Sequence, residues 1–249
     1  MISKTKLKFI KSLQIKKFRR EYREFFVEGA KSVLELLSSD FKVKSLLVTE
    51  KFLTTYSFVG QASDYTVDVV KERDLEQIGL FSSNNSALAV AEMKENKPLY
   101  PVDNEFVLLL DEVKDPGNLG TIIRIADWYG ITKIICSQGT TDFYNPKVIS
   151  ASMGSFTRVN VYYCDLIAYF NQNKSDLPVF AAKLEGVNIH ELKSPESGFI
   201  IMGNESVGIR PELDKFITKS VHIPRFGQAE SLNVAIATAV ILDNFKRNG

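Results

Sequence analysis

The sequence predicts an α/β protein, because strand-length runs that are apolar on both faces alternate with helical periods, and short polar turns separate them. A helical stretch spans residues 4–17, a second helix opens at Glu28-Gly29-Ala30 and runs to Leu37, and Ser45-Leu46-Leu47-Val48 forms a short strand. Further elements follow as far as Ala91. Ser38-Ser39-Asp40 and Ser82-Ser83-Asn84-Asn85 read as turns, since short polar side chains bond to nearby backbone. Lys94-Glu95-Asn96-Lys97-Pro98-Leu99-Tyr100-Pro101 is charged and bracketed by prolines, so it reads as a linker. That places a boundary near residue 97 and divides the chain into domains of residues 1–97 and 98–249.

The second domain starts with the continuous apolar run Phe106–Leu110, a turn at Asp115-Pro116-Gly117, and a helical period from Leu119 to Tyr129 closed by Gly130. Strands follow at Lys133–Ser137, Val159–Tyr162, Val179–Ala182, Phe199–Met202 and Val221–Ile223, most of them separated by helical segments. Runs of this kind predict a parallel sheet covered on both faces. Ligands of such sheets sit beyond the carboxyl ends of the strands, so chemistry is expected in the loops that follow them.

Composition excludes several function classes. With 45% hydrophobic and 24% charged residues the chain is not of a disordered type, and it has no run of the roughly 18 apolar residues that would span a membrane. Its lysine-rich start lacks the apolar core of a secretory signal, which predicts a cytoplasmic protein. Cys136 and Cys164 are far apart and form no C-x-x-C pair, and His190 and His222 are also separated, so both cysteines read as buried apolar residues and no metal site is expected. Net charge is +1, yet residues 1–20 carry eight Lys or Arg and no acid. Lys16, Lys17, Arg19 and Arg20 in this segment read either as a phosphate-binding surface or as a solvated helix.

Three loops can carry chemistry. In the first, Asp111 to Gly120, Pro116 and Gly117 make a tight turn, and Asn118 reads as a helix cap or as a functional amide. Arg124 lies opposite Leu119, Ile122, Ile123 and Ala126 on the polar side of the helix. The second loop, Gly203-Asn204-Glu205-Ser206-Val207-Gly208, has glycines where backbone can approach a ligand, while Glu205 could simply face a helix N-terminus. The third runs from Ile223-Pro224 through Arg225 to Ser231-Leu232-Asn233. Ser231 is the expected N-cap of a helix that is apolar nearly all round to Leu242, which predicts burial in a core or between subunits. Asn233 then needs partners for its amide in that first turn.

In order and spacing these loops resemble the three signature motifs of the SpoU/TrmH family of SPOUT RNA methyltransferases: Asn118-x-Gly120-x-x-x-Arg124-x-Ala126, Gly203-Asn204-Glu205-x-x-Gly208, and Ile223-Pro224 with Ser231-Leu232-Asn233-Val234. The resemblance covers residues 104–247. Residues 17–37, with Phe25-Phe26-Val27-Glu28-Gly29, are similar to the start of the small α/β ribosomal-protein-like domain that binds RNA in several members. Arg225-Phe226 departs from the smaller or aliphatic residues of the commonest pattern, and Arg225 reads as a phosphate contact or as a loop charge.

The resemblance implies a SPOUT-type parallel sheet with a C-terminal deep trefoil knot, a homodimer, and methylation of a ribose 2′-hydroxyl in RNA from S-adenosylmethionine. Ribosomal RNA is the expected substrate, transfer RNA the alternative, and a non-catalytic RNA-binding or ribosome-assembly protein a different class of outcome. It assigns Arg124 to activation of the 2′-hydroxyl, and Asn118, Glu205, Ser231 and Asn233 to positioning. The cofactor falls to backbone around Gly203, Ile223 and Leu232, with Ala182 and Leu184 nearby. No G-x-G-x-x-G follows the first strand of this domain, which agrees with a cofactor site unlike that of Rossmann-type methyltransferases.

Overall fold

A computed structural model describes residues 2–61, 64–80, 86–102, 104–193 and 196–247, which leaves the turn expected at Ser82–Asn85 outside the described residues. The chain forms two compact units, one of residues 1–95 with 142–157 and one of residues 96–141 with 158–249.

In the first unit, α1 (Lys4–Ser12) and α2 (Lys16–Tyr22) replace the single helix expected over 4–17. The break at Leu13 to Ile15 is fixed by Arg19, whose Nη1 donates to the carbonyls of Leu13 and Gln14 at 2.9 and 2.8 Å. Its other guanidinium nitrogens grip the Asp142 carboxylate at 2.6 and 3.2 Å, with the Arg19 side chain only 2% exposed. Arg19 is therefore not free to meet phosphate, whereas Lys16, Lys17 and Arg20 are exposed. A charge pattern locates a basic segment but cannot see an acid 123 residues away.

Strand β1 (Glu24–Glu28), helix α3 (Ala30–Leu37), strand β2 (Val43–Val48), helix α4 (Glu50–Thr55), strand β3 (Thr66–Val69), helix α5 (Glu72–Ile78) and strand β4 (Ala87–Glu92) follow. The sheet order is β1-β4-β2-β3, and only β2 and β3 run parallel. Its buried strand residues Phe26, Leu47, Leu88 and Val90 pack on Ile10 and Leu13 from the N-terminal segment and on Leu75 and Ile78 of α5. Residues 142–157, which carry the short helix α7 (Pro146–Ala151), also belong to this unit. Tyr144 packs tilted and Phe156 edge-on against Phe25, and the Tyr144 hydroxyl accepts from the Lys94 N–H at 2.9 Å.

In the second unit, β5 (Phe106–Leu110), α6 (Pro116–Trp128), β6 (Lys133–Ser137), β7 (Asn160–Cys164), α8 (Leu166–Gln172), β8 (Val179–Asn188), β9 (Gly198–Met202), β10 (Lys219–His222) and α9 (Val234–Lys246) occur in that order. Among the described residues six strands form one sheet, ordered β10-β8-β9-β5-β6-β7, with every pair parallel. From β5 the chain first builds outward through β6 and β7, then returns to the other side for β8, β9 and β10. The reversal makes β5 and β9 the switch point of the sheet, where a crevice opens beyond the carboxyl ends. Val107, Leu109, Phe199 and Ile201 face α8 on one side. Phe106 and Phe180 meet Phe245 of α9 on the other, with ring centroids 5.6 and 5.0 Å away.

Both cysteines are buried thiols, as their apolar neighbours in the sequence imply. Burial pushes the Cys164 thiol up to about 12 and raises that of Cys136 as well.

Candidate active site

The three loops meet at the carboxyl edge of the sheet, beyond β5, β9 and β10. Helix α6 starts earlier than its apolar period suggested: Asp115, not Asn118, is the N-cap, accepting the Asn118 N–H at 2.8 Å, and Pro116 supplies the first turn. This frees the Asn118 side chain. Asn118 Nδ2 donates to Glu205 Oε1 at 2.8 Å, and Asn118 Oδ1 accepts from Asn233 Nδ2 at 2.8 Å. Asn233 is in turn the N-cap of α9, its Oδ1 accepting the N–H groups of Ala235 and Ile236 at 2.9 and 3.3 Å.

The polarity of this chain is forced. A carboxylate only accepts, so Asn118 must turn its NH2 to Glu205 and its oxygen to Asn233, and Asn233 must turn its own oxygen to the helix. One line of hydrogen bonds thus joins Glu205, Asn118, Asn233 and the N-terminus of α9. Ser231, the expected cap, stands two residues too early for the helix that forms. It is exposed and bonded to none of these groups among the described residues.

Two residues that sequence reasoning passed over hold the Glu205 loop. Asp111, at the end of β5, is fully buried and accepts from the Arg210 N–H and Nε at 2.9 and 2.8 Å, with Arg210 Nη2 in an ion pair 2.8 Å away. A carboxylate closing a buried apolar strand was the available signal, because it must find a cation. Inside the loop, Asn204 Oδ1 accepts from the N–H groups of Ser206 and Val207, and Asn204 Nδ2 donates to the Glu112 carbonyl at 2.8 Å. Asn204 and Gly208 also exchange both backbone hydrogen bonds. At Gly203 a side chain is sterically excluded, since a Cβ would lie 2.4 Å from the Gly208 carbonyl carbon and 2.5 Å from the Ile209 nitrogen. Gly203→Ala is expected to cost about 1–3 kcal/mol through overpacking against backbone. A chemical-denaturation midpoint equal to wild type would contradict this.

Arg124 lies six residues along α6 from Asn118. Leu119, Ile122, Ile123 and Ala126 are buried as the helical period requires, and Arg124 is exposed, with no hydrogen bond or ion pair among the described residues. Its guanidinium is available to a ligand. Tyr129, past the end of α6, reaches the Asp243 carboxylate of α9 at 3.3 Å, and burial, with that carboxylate, holds the phenol above its ordinary range.

Of the five residues expected around a cofactor, two directly follow strand ends and two lie within a strand. Gly203 follows β9, Ile223 follows β10, and Ala182 and Leu184 lie in β8 where it parts from β10. Leu184 and Leu232 are 77% and 49% exposed. Between Phe226 and Leu232 no backbone N–H finds a protein acceptor among the described residues. Arg225 is exposed, and its Nη1 reaches the Ala229 carbonyl at 3.3 Å. Exposed leucines and open main-chain groups suit a nucleoside, which needs apolar contact on its base and hydrogen bonds at its edge. Among the described residues no group of His, Cys, Asp or Glu could hold a metal ion, and no helix is long and apolar enough to cross a membrane.

Residues 105–243, more than half of the chain, match the SpoU rRNA Methylase family. The chain belongs to that family. Its first part, residues 4–89, matches the MRM3-like substrate binding domain. Among SpoU family members it is 33% identical over 244 residues to the 23S rRNA (guanosine(2553)-2'-O)-methyltransferase RlmP of Bacillus subtilis, covering 95% of this chain and 94% of the relative. The AdoMet-bound rRNA methyltransferase from Sinorhizobium meliloti superposes with a TM-score of 0.88 at 30% identity, over 100% of this chain and 97% of that one. The structure of a TrmH-family protein from Porphyromonas gingivalis gives 0.86 at 34%, with both chains fully covered. The α/β architecture expected from the sequence is thus the one this SpoU methylase shares with its relatives.

Proposed function

We infer that this protein is an S-adenosylmethionine-dependent RNA methyltransferase acting on a ribose 2′-hydroxyl of ribosomal RNA. The observation that carries the inference is the hydrogen-bonded line from Glu205 through Asn118 to Asn233, which joins the three loops that the family motifs single out. Whole-length likeness to a 23S rRNA methyltransferase favours ribosomal over transfer RNA.

In this reading Gly203, Ile223 and Leu232 would hold the cofactor through their backbone, with Ala182 and Leu184 nearby. S-adenosylmethionine, when bound, supplies an electrophilic methyl group. Arg124 binds the ribose 2′-oxygen and offsets the charge that develops as its proton passes to water or to a phosphate of the bound RNA. A guanidinium is too weak an acid to serve as a neutral base near pH 7, so Arg124 acts by charge and orientation. Asn118, Glu205 and Asn233 fix the loop ends, and orientation of this kind contributes much of a bimolecular reaction's acceleration. Ser231 enters only by contact with RNA or a second subunit.

The first domain, with Lys16, Lys17 and Arg20 exposed, docks the RNA, and Arg225 adds a phosphate contact from the catalytic domain. The active form is a homodimer, and the C-terminal segment is threaded as a deep trefoil knot. Two features support this. Ile236 on α9 is 53% exposed and Trp128 on α6 is 84% exposed, although α9 is apolar enough to demand cover on every side. The chain also crosses from β10 at the sheet edge to set Asn233 beside Asn118, past the central strand β5. With RNA as substrate and two unpaired thiols, the protein works in the cytoplasm.

The test is transfer of a labelled methyl group from S-adenosylmethionine to purified 23S rRNA or to transfer RNA. Labelling of 23S rRNA is expected. Labelling of transfer RNA alone would reassign the substrate, and binding of RNA without S-adenosylmethionine binding in calorimetry would leave a non-catalytic RNA-binding protein.

A further inference from the structure

Strand β8 does not pair evenly with β10. Ala181 stands opposite Ser220, but the next partners are Val187 and Val221, so residues 182–186 leave the ladder as an arch while β10 continues without a break. Ala182 and Leu184, read above as cofactor contacts, lie on this arch.

The arch is pinned at its base. Gly186 has φ +148°, and a Cβ there would lie 2.5 Å from the Ser220 carbonyl oxygen, so the arch returns to β10 at the closest backbone approach a residue allows. Beyond it, the Ile189 N–H donates to the His222 carbonyl at 2.9 Å. The His222 ring closes the same corner from the side, with Nδ1 3.0 Å from the Gly186 carbonyl oxygen. A carbonyl only accepts, so Nδ1 carries the proton and donates. On the other flank, Lys183 Nζ bonds Asp214 Oδ1 at 2.7 Å. That pair is half open to solvent and holds weakly, which leaves the His222 contact as the directional restraint.

His222 immediately precedes Ile223, whose backbone is assigned to the cofactor. One residue therefore ties together two cofactor-bearing segments, the arch of β8 and the exit of β10. Resting on the cofactor reading above, we propose that His222 is a positioning residue for S-adenosylmethionine, holding the 182–186 arch in its binding-ready form through the Nδ1–Gly186 bond. It touches neither methyl group nor RNA.

Loss of one such hydrogen bond changes an equilibrium by about three- to tenfold. His222→Ala is accordingly expected to raise the Kd for S-adenosylmethionine, read by calorimetry without RNA, and the cofactor KM by that factor. The value of kcat at saturating cofactor and the KM for RNA stay at wild-type values. His222→Asn, whose Nδ2 sits near the position of Nδ1, is expected to bind the cofactor within about twofold of wild type. Hydrogen exchange at residues 183–187 should rise in His222→Ala and not in His222→Asn, which separates loosening of the arch from general unfolding.

Equal cofactor affinity in wild type and His222→Ala would overturn the proposal, and so would an Asn variant as weak as the Ala variant. If the wild-type chain itself bound no S-adenosylmethionine, the cofactor reading would fall and this proposal with it.

Discussion

Arg124→Ala is expected to lower methyl transfer by about two to three orders of magnitude, the usual cost of removing a group that stabilises charge developing in a transition state. The loss should appear in kcat with cofactor and RNA both saturating. Stability should not change, because Arg124 projects from the side of α6 opposite Leu119, Ile122, Ile123 and Ala126 and makes no intramolecular bond among the described residues. Cofactor affinity should also hold, since none of the loops assigned to S-adenosylmethionine contains the residue. Arg124→Lys is expected to recover little. An ammonium keeps the charge but loses the planar fork that can engage a phosphate and a ribose oxygen together. Wild-type turnover by Arg124→Ala with intact RNA binding would sink the assignment.

The second large effect lies in stability. Arg210→Ala removes the countercharge and the side-chain donor of a carboxylate that is fully buried, leaving only the backbone N–H. Breaking one side of a buried pair costs about 3–5 kcal/mol. The Arg210 side chain is itself 34% exposed, so the lower end applies. About 3 kcal/mol in a domain of this size corresponds to a fall of about 6–12 °C in Tm. The remedy identifies the cause. Adding Asp111→Asn to Arg210→Ala removes the stranded charge and is expected to return at least half of the lost stability. Activity should fall with Arg210→Ala even well below the new Tm, because Arg210 closes the loop that offers Glu205 to Asn118. A single variant as stable as wild type by calorimetry would contradict this role for the pair.

These two residues show where the sequence is informative and where it stops. Arg124 was placed correctly on its helix face because a 3.6-residue period fixes direction without knowledge of the partner. β5 and β9 were legible for a similar reason: every residue of both strands is buried, and a strand covered on both faces has to be apolar throughout. Helix starts were less legible. Asp115-Pro116-Gly117-Asn118 offers two capping side chains, and proline at the first helical position decided for Asp115. Ser231 is the cap expected for α9, but the helix starts two residues later and Asn233 caps it.

What sequence could not supply was contact over long separation. Asn118 and Asn233 are 115 residues apart, and each has an ordinary local explanation as a capping residue. Asp111 and Arg210 are separated by 99 residues, and Arg19 from Asp142 by 123. Each pair joins a charge or amide that looks solvated to a partner that only the fold brings near. Residues 142–157 illustrate the same limit at the scale of an element, since nothing in their composition announces that they pack with the first unit.

The chemistry itself can be read from the product. Ribosomal RNA labelled with a radioactive methyl group by the purified protein should yield, after complete alkaline hydrolysis, label confined to alkali-resistant dinucleotides, because a methylated 2′-oxygen cannot attack the adjacent phosphodiester. Label released as ordinary mononucleotides would place the methyl group on a base and contradict ribose 2′-O-methylation.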